Sequence, residues 1–275
     1  CLKTLCRQPV CIFFSYFYSI SVLATKSPFK ATIFSLGALY FFLLTGLFLD
    51  SNYFSNITEF AQESALVTML IVSTVVFIRV NKRIKEQMIT AILIAIIGEY
   101  VFSRVLGMYT YRLENVPHYV PPGHALVYVA VVYFSKAASI IKQKKTLEVS
   151  FTIAIVVYSL FFLLVKNDVF GFVMTVATLL ILRKKPRERM FYLTMYITVA
   201  VLEIIGTCYG CWWWPATAWN TFSFLPSANP PSGISFFYFG LDLGSLWLYK
   251  QRHKIAWKRM KLIRSLREKK EFVSN

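Results

Sequence analysis

Runs of apolar residues alternate with short polar connections along almost the whole chain. The runs cover about residues 31–49, 64–80, 87–106, 123–141, 148–165, 168–182, 190–208 and 232–249. A membrane-crossing helix needs about 20 such residues, within a range of about 17–25, and most of the runs meet it. Segment 168–182 is short and would borrow flanking residues. A further short run, 10–24, follows Lys3 and Arg7. It could be a signal-like apolar region, an interfacial helix or the remnant of another span. The pattern predicts an all-α, polytopic transmembrane helical bundle of about eight spans, with an N-terminal segment, 1–30, of open status.

Composition agrees. Of the 275 residues, 57% are hydrophobic, 17% aromatic and only 16% charged, and the mean hydropathy is +0.56. A soluble domain carries about 25% charged residues, and disorder requires low hydrophobicity, so both classes are excluded. The net charge of +17 would suggest nucleic acid in a soluble protein. Here the cations sit in short blocks between apolar runs, which marks cytoplasmic loops instead.

Those blocks are 81–85, 142–145, 183–189 and the stretch from Lys250 onward, so every second connection is basic. Connection 50–63 holds Asp50, Glu59 and Glu63 with no Lys or Arg. The positive-inside rule then places 50–63, 107–122, 166–168 and 209–231 outside and the C-terminus in the cytoplasm. The expected location is a bacterial cytoplasmic membrane.

The two long outward loops look alike. The first reads Glu99, Gly107, Tyr109, Tyr111, Pro121-Pro122-Gly123 and Tyr128; the second reads Glu203, Gly210, Trp212, Trp214, Pro230-Pro231-Ser232-Gly233 and Tyr238. This predicts an internal duplication, 31–145 and 146–250, followed by a basic tail, 251–275. With four spans per half, the copies would be parallel, related by an axis along the membrane normal.

An acid inside a membrane helix costs on the order of 2.5–3.5 kcal/mol near the centre on insertion scales, and marks a functional site by default. Glu99 and Glu203 occupy matching places about one turn inside the outer ends of their spans. Nearer the interface water can reach them, and the bland alternative is a snorkelling carboxylate. Asp242 is the deepest acid, outside the repeat; it could hydrogen-bond a neighbouring helix or handle protons, with Arg104, tyrosines or water as partners. The aromatics Tyr109, Tyr111, Trp212 and Trp214 suit an interfacial belt. The sharper alternative is a lid or wall over a pocket lined by Glu99 and Glu203, because alternate residues of an extended segment share one side. With Asn229 they make the candidate substrate-binding set.

His118 and His124 flank the first Pro pair, which starts a helix well. His124 would sit in the first helical turn, where the positive dipole end favours neutral imidazole, able to accept a proton or bind metal. No H-x3-H or H-E-x-x-H spacing is present, and neither a metal nor another cofactor is expected. The five cysteines are Cys1, Cys6, Cys11, Cys208 and Cys211. Cys208 and Cys211 have the spacing of a redox pair, but a thiol oxidase needs a second exchangeable pair. Asn56-Ile57-Thr58 fits a glycosylation sequon. In the tail, Trp257, Met260, Ile263 and Leu266 recur every three residues among cations, which predicts a basic helix on anionic inner-leaflet lipid; a solvated tail is the alternative. The chain opens on Cys1 rather than Met, as expected of a fragment or of a chain that has lost its start; a mature lipoprotein also begins with Cys, but one residue does not support that reading.

The stretch from Glu99 to Tyr128, with Gly107-Met108-Tyr109-Thr110-Tyr111, Asn115-Val116-Pro117 and Val120-Pro121, resembles the loop of the carotenoid-hydratase-like membrane proteins of bacteria and archaea. The resemblance covers residues 99–128. It implies addition of water to a long polyene lipid. The second loop, with Trp212-x-Trp214 and Asn229-Pro230-Pro231-Ser232-Gly233, is more similar to uncharacterised bacterial multi-span proteins and departs from the hydratase pattern.

The leading expectation is a membrane-embedded enzyme, of lyase or hydratase type, acting on a lipid or polyprenoid in the outer half of the bilayer. Glu99 and Glu203 would be proton donor and acceptor, because carboxylates in different surroundings can hold opposite protonation states. Arg104 would be an electrostatic partner and His124 a shuttle. A transporter or channel, with the acids at the interface of the halves, and a non-catalytic assembly subunit are the alternatives. Membrane lipids are the expected partners, and nucleic acid is not.

Overall fold

The computed structural model describes residues 28–255, 257–259 and 262–263. The run 10–24, the three N-terminal cysteines and Met260 and Leu266 of the tail lie outside the described residues, as does the side chain of Asp242.

Eight long helices coincide with the eight apolar runs: α1 (Pro28–Leu49), α2 (Ala61–Arg79), α3 (Lys82–Glu99), α4 (Val120–Lys136), α5 (Lys144–Lys166), α6 (Val169–Arg183), α7 (Arg189–Cys208) and α8 (Ser235–Arg252). Helix α3 continues as a π-helix, Tyr100–Val105. Local signals set several boundaries. The Asn81 side chain accepts from Ile84 N at the start of α3, as expected of an N-cap. Asn167 adopts a left-handed φ of 54° and ends α5. Two prolines occupy the first turn of α4, where a missing N–H costs nothing.

Four segments are long and apolar enough to cross a membrane: Ala61–Arg79, Lys82–Val105, Lys144–Lys166 and Arg189–Cys208. Gly37–Leu49 and Val169–Arg183 are apolar but shorter. Length and hydropathy therefore support four spans among the described residues, against the eight expected. Helix α4 has only 17 residues, and α8 carries Asp242 with Lys250 and Arg252 at its end, which lowers its hydropathy. The exposed surface fits a lipid environment: Leu164 is 81% exposed, and Val157 and Phe161 on the same helix are also exposed. In water such a face would be a large unpartnered apolar patch.

Helices α3, α4, α7 and α8 form the centre. Helix α3 packs on α4 and α8, while α7 packs on α4 and α8 in turn. Helices α1 and α2 pack together and against α4, and α5 and α6 pack together beside α7. The main core joins Leu126, Val131, Leu193, Met195, Tyr196 and Val199, all nearly inaccessible.

The all-α expectation needs one amendment. The long connections form two small antiparallel sheets: β1 (Thr110–Tyr111) with β2 (Trp212–Trp213), and β3 (Thr217–Ala218) with β4 (Phe222–Pro226). A buried loop must satisfy its backbone groups; β1 and β2 pair the two loops with each other, and β3 and β4 pair within the second. At the opposite ends of the helices the basic connections meet. His253 bonds Glu86 at 2.5 Å, Arg83 lies over the Tyr249 ring at 5.3 Å, and Lys144 Nζ donates to Pro186 O at 3.2 Å. Unlike the first Pro pair, Pro231 does not start a helix; a turn follows it and α8 begins at Ser235.

Candidate functional site

Glu99 is the last residue of α3 and only 6% exposed. Beyond the π-helix, Gly107 takes a positive φ of 58°, a conformation that glycine adopts without a Cβ penalty. The reversal sends Tyr109 and Tyr111 back along the helix end. Both hydroxyls donate to Glu99 Oε2, at 2.5 and 2.6 Å. The other carboxyl oxygen, Oε1, lies 2.7 Å from His124 Nε2. His124 sits one residue beyond the first turn of α4 rather than within it.

Glu203, on α7, is 4% exposed. Gly210 again takes a positive φ, 71°, and turns the chain so that Trp212 and Trp214 face back. Both indole N–H groups donate to Glu203 Oε2, at 2.8 and 3.1 Å, and the Tyr238 hydroxyl donates to Oε1 at 3.2 Å. Two aromatics spaced by one residue thus grip each acid, because alternate residues of an extended strand share a face.

Antiparallel pairing of β1 with β2 sets Tyr111 opposite Trp212, and their ring centroids are 6.0 Å apart. Tyr109 lies 4.6 Å from Trp214. The four rings form one wall, while Trp213 points away and is exposed. Beneath the wall, a cavity of about 100 Å³ is lined by both acids, His124, Tyr238 and apolar side chains such as Leu43, Met69, Phe102 and Phe237. Several waters or one small reacting group fit in that space, since one water needs about 10–15 Å³ by this kind of measure.

Burial, and after it the neighbouring Glu99, push the Tyr109 and Tyr111 hydroxyls well above their ordinary value. Both phenols therefore remain neutral donors at any physiological pH.

The structure thus brings together Glu99, Glu203, His124, Tyr109, Tyr111, Trp212 and Trp214 from the sequence-derived set. Arg104 is not with them: its Nη1 donates to Glu114 O at 2.6 Å on the exposed surface. Asn229 stands behind the wall, its Oδ1 accepting from Trp214 N at 3.0 Å; it positions a ring rather than lining the cavity. His118 is exposed and does not line it either. Cys208 and Cys211 are both free thiols. Cys211 is buried, with its Sγ donating to Leu47 O at 3.2 Å, and burial pushes its thiol up. Among the described residues, no three His, Cys, Asp or Glu side chains converge as metal ligands.

Three supports escaped the sequence reading. Tyr238 matched the repeat pattern, yet only its hydroxyl contact reveals a role; its counterpart Tyr128 instead packs on Phe191, 5.9 Å between ring centroids. Asp50, fully buried, accepts from Arg112 Nη2 at 2.6 Å and from the Tyr119 hydroxyl at 2.8 Å. Arg112 Nε also donates to Asp50 O at 2.9 Å. Asp168, also fully buried, caps α6 through Gly171 N and accepts from Ala228 N and Ser232 N. Each acid ties a long loop to an earlier connection between helices: Asp50 holds loop 107–122 and Asp168 holds loop 209–231, with Ser232 just beyond it. The signal available was an acid at the end of an apolar run, and it reads as ordinary loop charge.

No protein-family model matches the chain, and no curated protein or solved structure matches it.

Proposed function

We propose that the chain is a multi-pass membrane enzyme that moves protons to and from an unsaturated lipid or polyprenoid in the outer half of the bilayer. One observation carries this reading: Glu99 and Glu203 share an apolar cavity but have different partners. Glu99 faces an imidazole and two phenols. Glu203 faces two indole N–H groups and one phenol, all neutral donors. Surroundings that differ in this way let two carboxyls hold different numbers of protons.

The chemistry that fits is hydration or its reverse. One carboxyl gives its proton to a carbon–carbon double bond, leaving a carbocation. The π-faces of Tyr109, Trp212 and Trp214 attract a cation held close to them. Water adds its oxygen to the cation, and the other carboxyl takes the proton that water releases. The Glu99–His124 contact offers a route for that proton onward. General acid–base catalysis of this kind contributes about 10²–10⁴-fold.

Eight spans in two parallel four-helix halves complete the proposal. Supporting it, Gly107 and Gly210, the matched glycines, are the two with positive φ among the described residues, and each half's aromatic pair serves its own glutamate. The loop charges favour a cytoplasmic C-terminus in a bacterial inner membrane, with anionic lipid beside the basic tail.

The test compares lipid extracts of cells carrying wild-type protein, Glu99→Gln or Glu203→Gln by mass spectrometry, with membrane insertion checked for each. A product present with wild type and reduced about 100-fold or more in both variants is expected. Wild-type product levels in both properly inserted variants would end this reading.

A further inference from the structure

We infer that a second cavity, in line with the first, holds the hydrocarbon tail of a long linear lipid whose reactive end reaches Glu99 and Glu203. This deepens the function proposed above and rests on it only for the identity of the reactive end.

The second cavity has a volume of about 330 Å³ and is bounded by Gly37 and Tyr40 of α1, Ala130 and Phe134 of α4, Phe151 of α5 and Thr198 of α7. Its hydroxyls are already engaged. Tyr40 and Thr198 hydrogen-bond each other, and Thr194, also on the wall, donates to Met190 O at 2.8 Å. An internal water needs two to four polar partners, and the side chains lining this cavity offer only these three hydroxyls, each already bonded. A dry apolar cavity of about 150 Å³ takes up benzene; this one is about twice that, which suits on the order of ten chain carbons.

Its placement selects a linear occupant. Both cavities use α1, α4 and α7. The first is lined by Leu43, Val127 and Glu203 on these helices, the second by Tyr40, Val131 and Thr198. At 1.5 Å rise per residue, Val127 to Val131 spans about 6 Å and Glu203 to Thr198 about 7.5 Å. The two spaces therefore lie end to end along the helices, about one turn apart. A flexible chain threads such a sequence of spaces, whereas a fused-ring plate does not. Gly37, on the wall of this cavity, is exposed, and its Cβ position has no atom within 4 Å; the proposed entrance lies there.

The experiment uses full-length protein in lipid nanodiscs and a long linear polyprenol with a diazirine at the end remote from the hydroxyl. After irradiation, adducts are mapped by peptide mass spectrometry. Adducts are expected on Ala130–Phe134 and around Phe151, competed by unlabelled long linear polyprenol but not by a sterol. A long unbranched alcohol serves as a further competitor; competition by it widens the site to any linear chain, and its failure narrows the site to isoprenoids. Gly37→Trp should lower labelling about tenfold, equivalent to about 1.4 kcal/mol, while Gly37→Leu should act in the same direction. Melting temperature reports whether either variant is folded.

Labelling reads the position of the bound chain and needs no turnover, so this result stands or falls apart from catalysis. Three outcomes would overturn the inference: adducts confined to exposed residues such as Leu164 and Val165, equal competition by a sterol, or unchanged labelling in folded Gly37→Trp.

Discussion

His124 and Tyr238 stack with their ring centroids 4.8 Å apart, and each bonds a different glutamate, Glu99 and Glu203 respectively. The pair is the bridge between the two acids, one ring from α4 and the other from α8. Replacing either ring by phenylalanine keeps much of the stack and removes the polar contact. Tyr238→Phe loses one neutral donor from a carboxyl that keeps two others, at a cost of about 1 kcal/mol. His124→Phe leaves a Glu99 oxygen buried without its imidazole partner, at a cost of about 1–3 kcal/mol, at the upper end because the acceptor is a carboxyl group and no other donor among the described residues reaches that oxygen. Thermal melts in detergent should rank them in that order, and the reverse ranking would contradict the pairing.

Gly206 is the hidden support of the Trp212 contact. A Cβ placed there would lie 2.2 Å from the Trp212 ring, far inside van der Waals distance. Gly206→Ala must push the indole away from Glu203, and overpacking of this kind costs about 1–3 kcal/mol. A change in tryptophan emission should accompany the lower melting temperature. Gly37→Ala, where the added carbon meets open space, should show neither effect.

The buried tyrosines make stability sensitive to alkali. Burial first, and then Glu99, raise Tyr109 and Tyr111 well above the ordinary tyrosine value of 10.0; burial first, and then Asp50, do the same for Tyr119. Near pH 10 the unfolded chain's tyrosines begin to lose protons while these three keep theirs. The unfolded state then binds fewer protons than the native state, so stability falls as pH rises. Melting temperature should be flat for these groups up to about pH 9 and decline above pH 10. The decline should be shallower in Tyr111→Phe, measured relative to that variant's own neutral-pH value. A steeper decline, or none in wild type, would contradict the burial of these hydroxyls.

Loop charge makes a prediction about sidedness that is independent of chemistry. Single cysteines placed at exposed positions Asn115, Asn220 and Gln143, in a background with the native thiols removed, should react differently with an impermeant reagent. Asn115→Cys and Asn220→Cys should label in intact cells, and Gln143→Cys only after lysis. The opposite pattern would invert the topology.

Much of the helical fold could be read directly from the apolar runs, because a helix that satisfies its own backbone needs only length and hydrophobicity to be recognised. The boundaries at Asn81 and Asn167 likewise follow from local capping. Glu99, Glu203 and the two aromatic pairs stood out because acids are costly in apolar helices and because the same order of residues occurs twice. Their convergence could not be read. Sequence spacing relates Glu99 to Tyr109 and Tyr111, but no local spacing carries the register Tyr111↔Trp212, the contact of His124 with Tyr238, or the cavities bounded by α1, α4 and α7. The same limit explains Arg104 and Asn229, which have suitable chemistry at suitable positions but are committed elsewhere by contacts with Glu114 and Trp214. It also explains Asp50 and Asp168, whose roles lie in reaching loops 62 and 60 residues away. Local propensity and transfer cost act along the chain and are written in it. Which donors meet which acceptors is decided only when the helices pack.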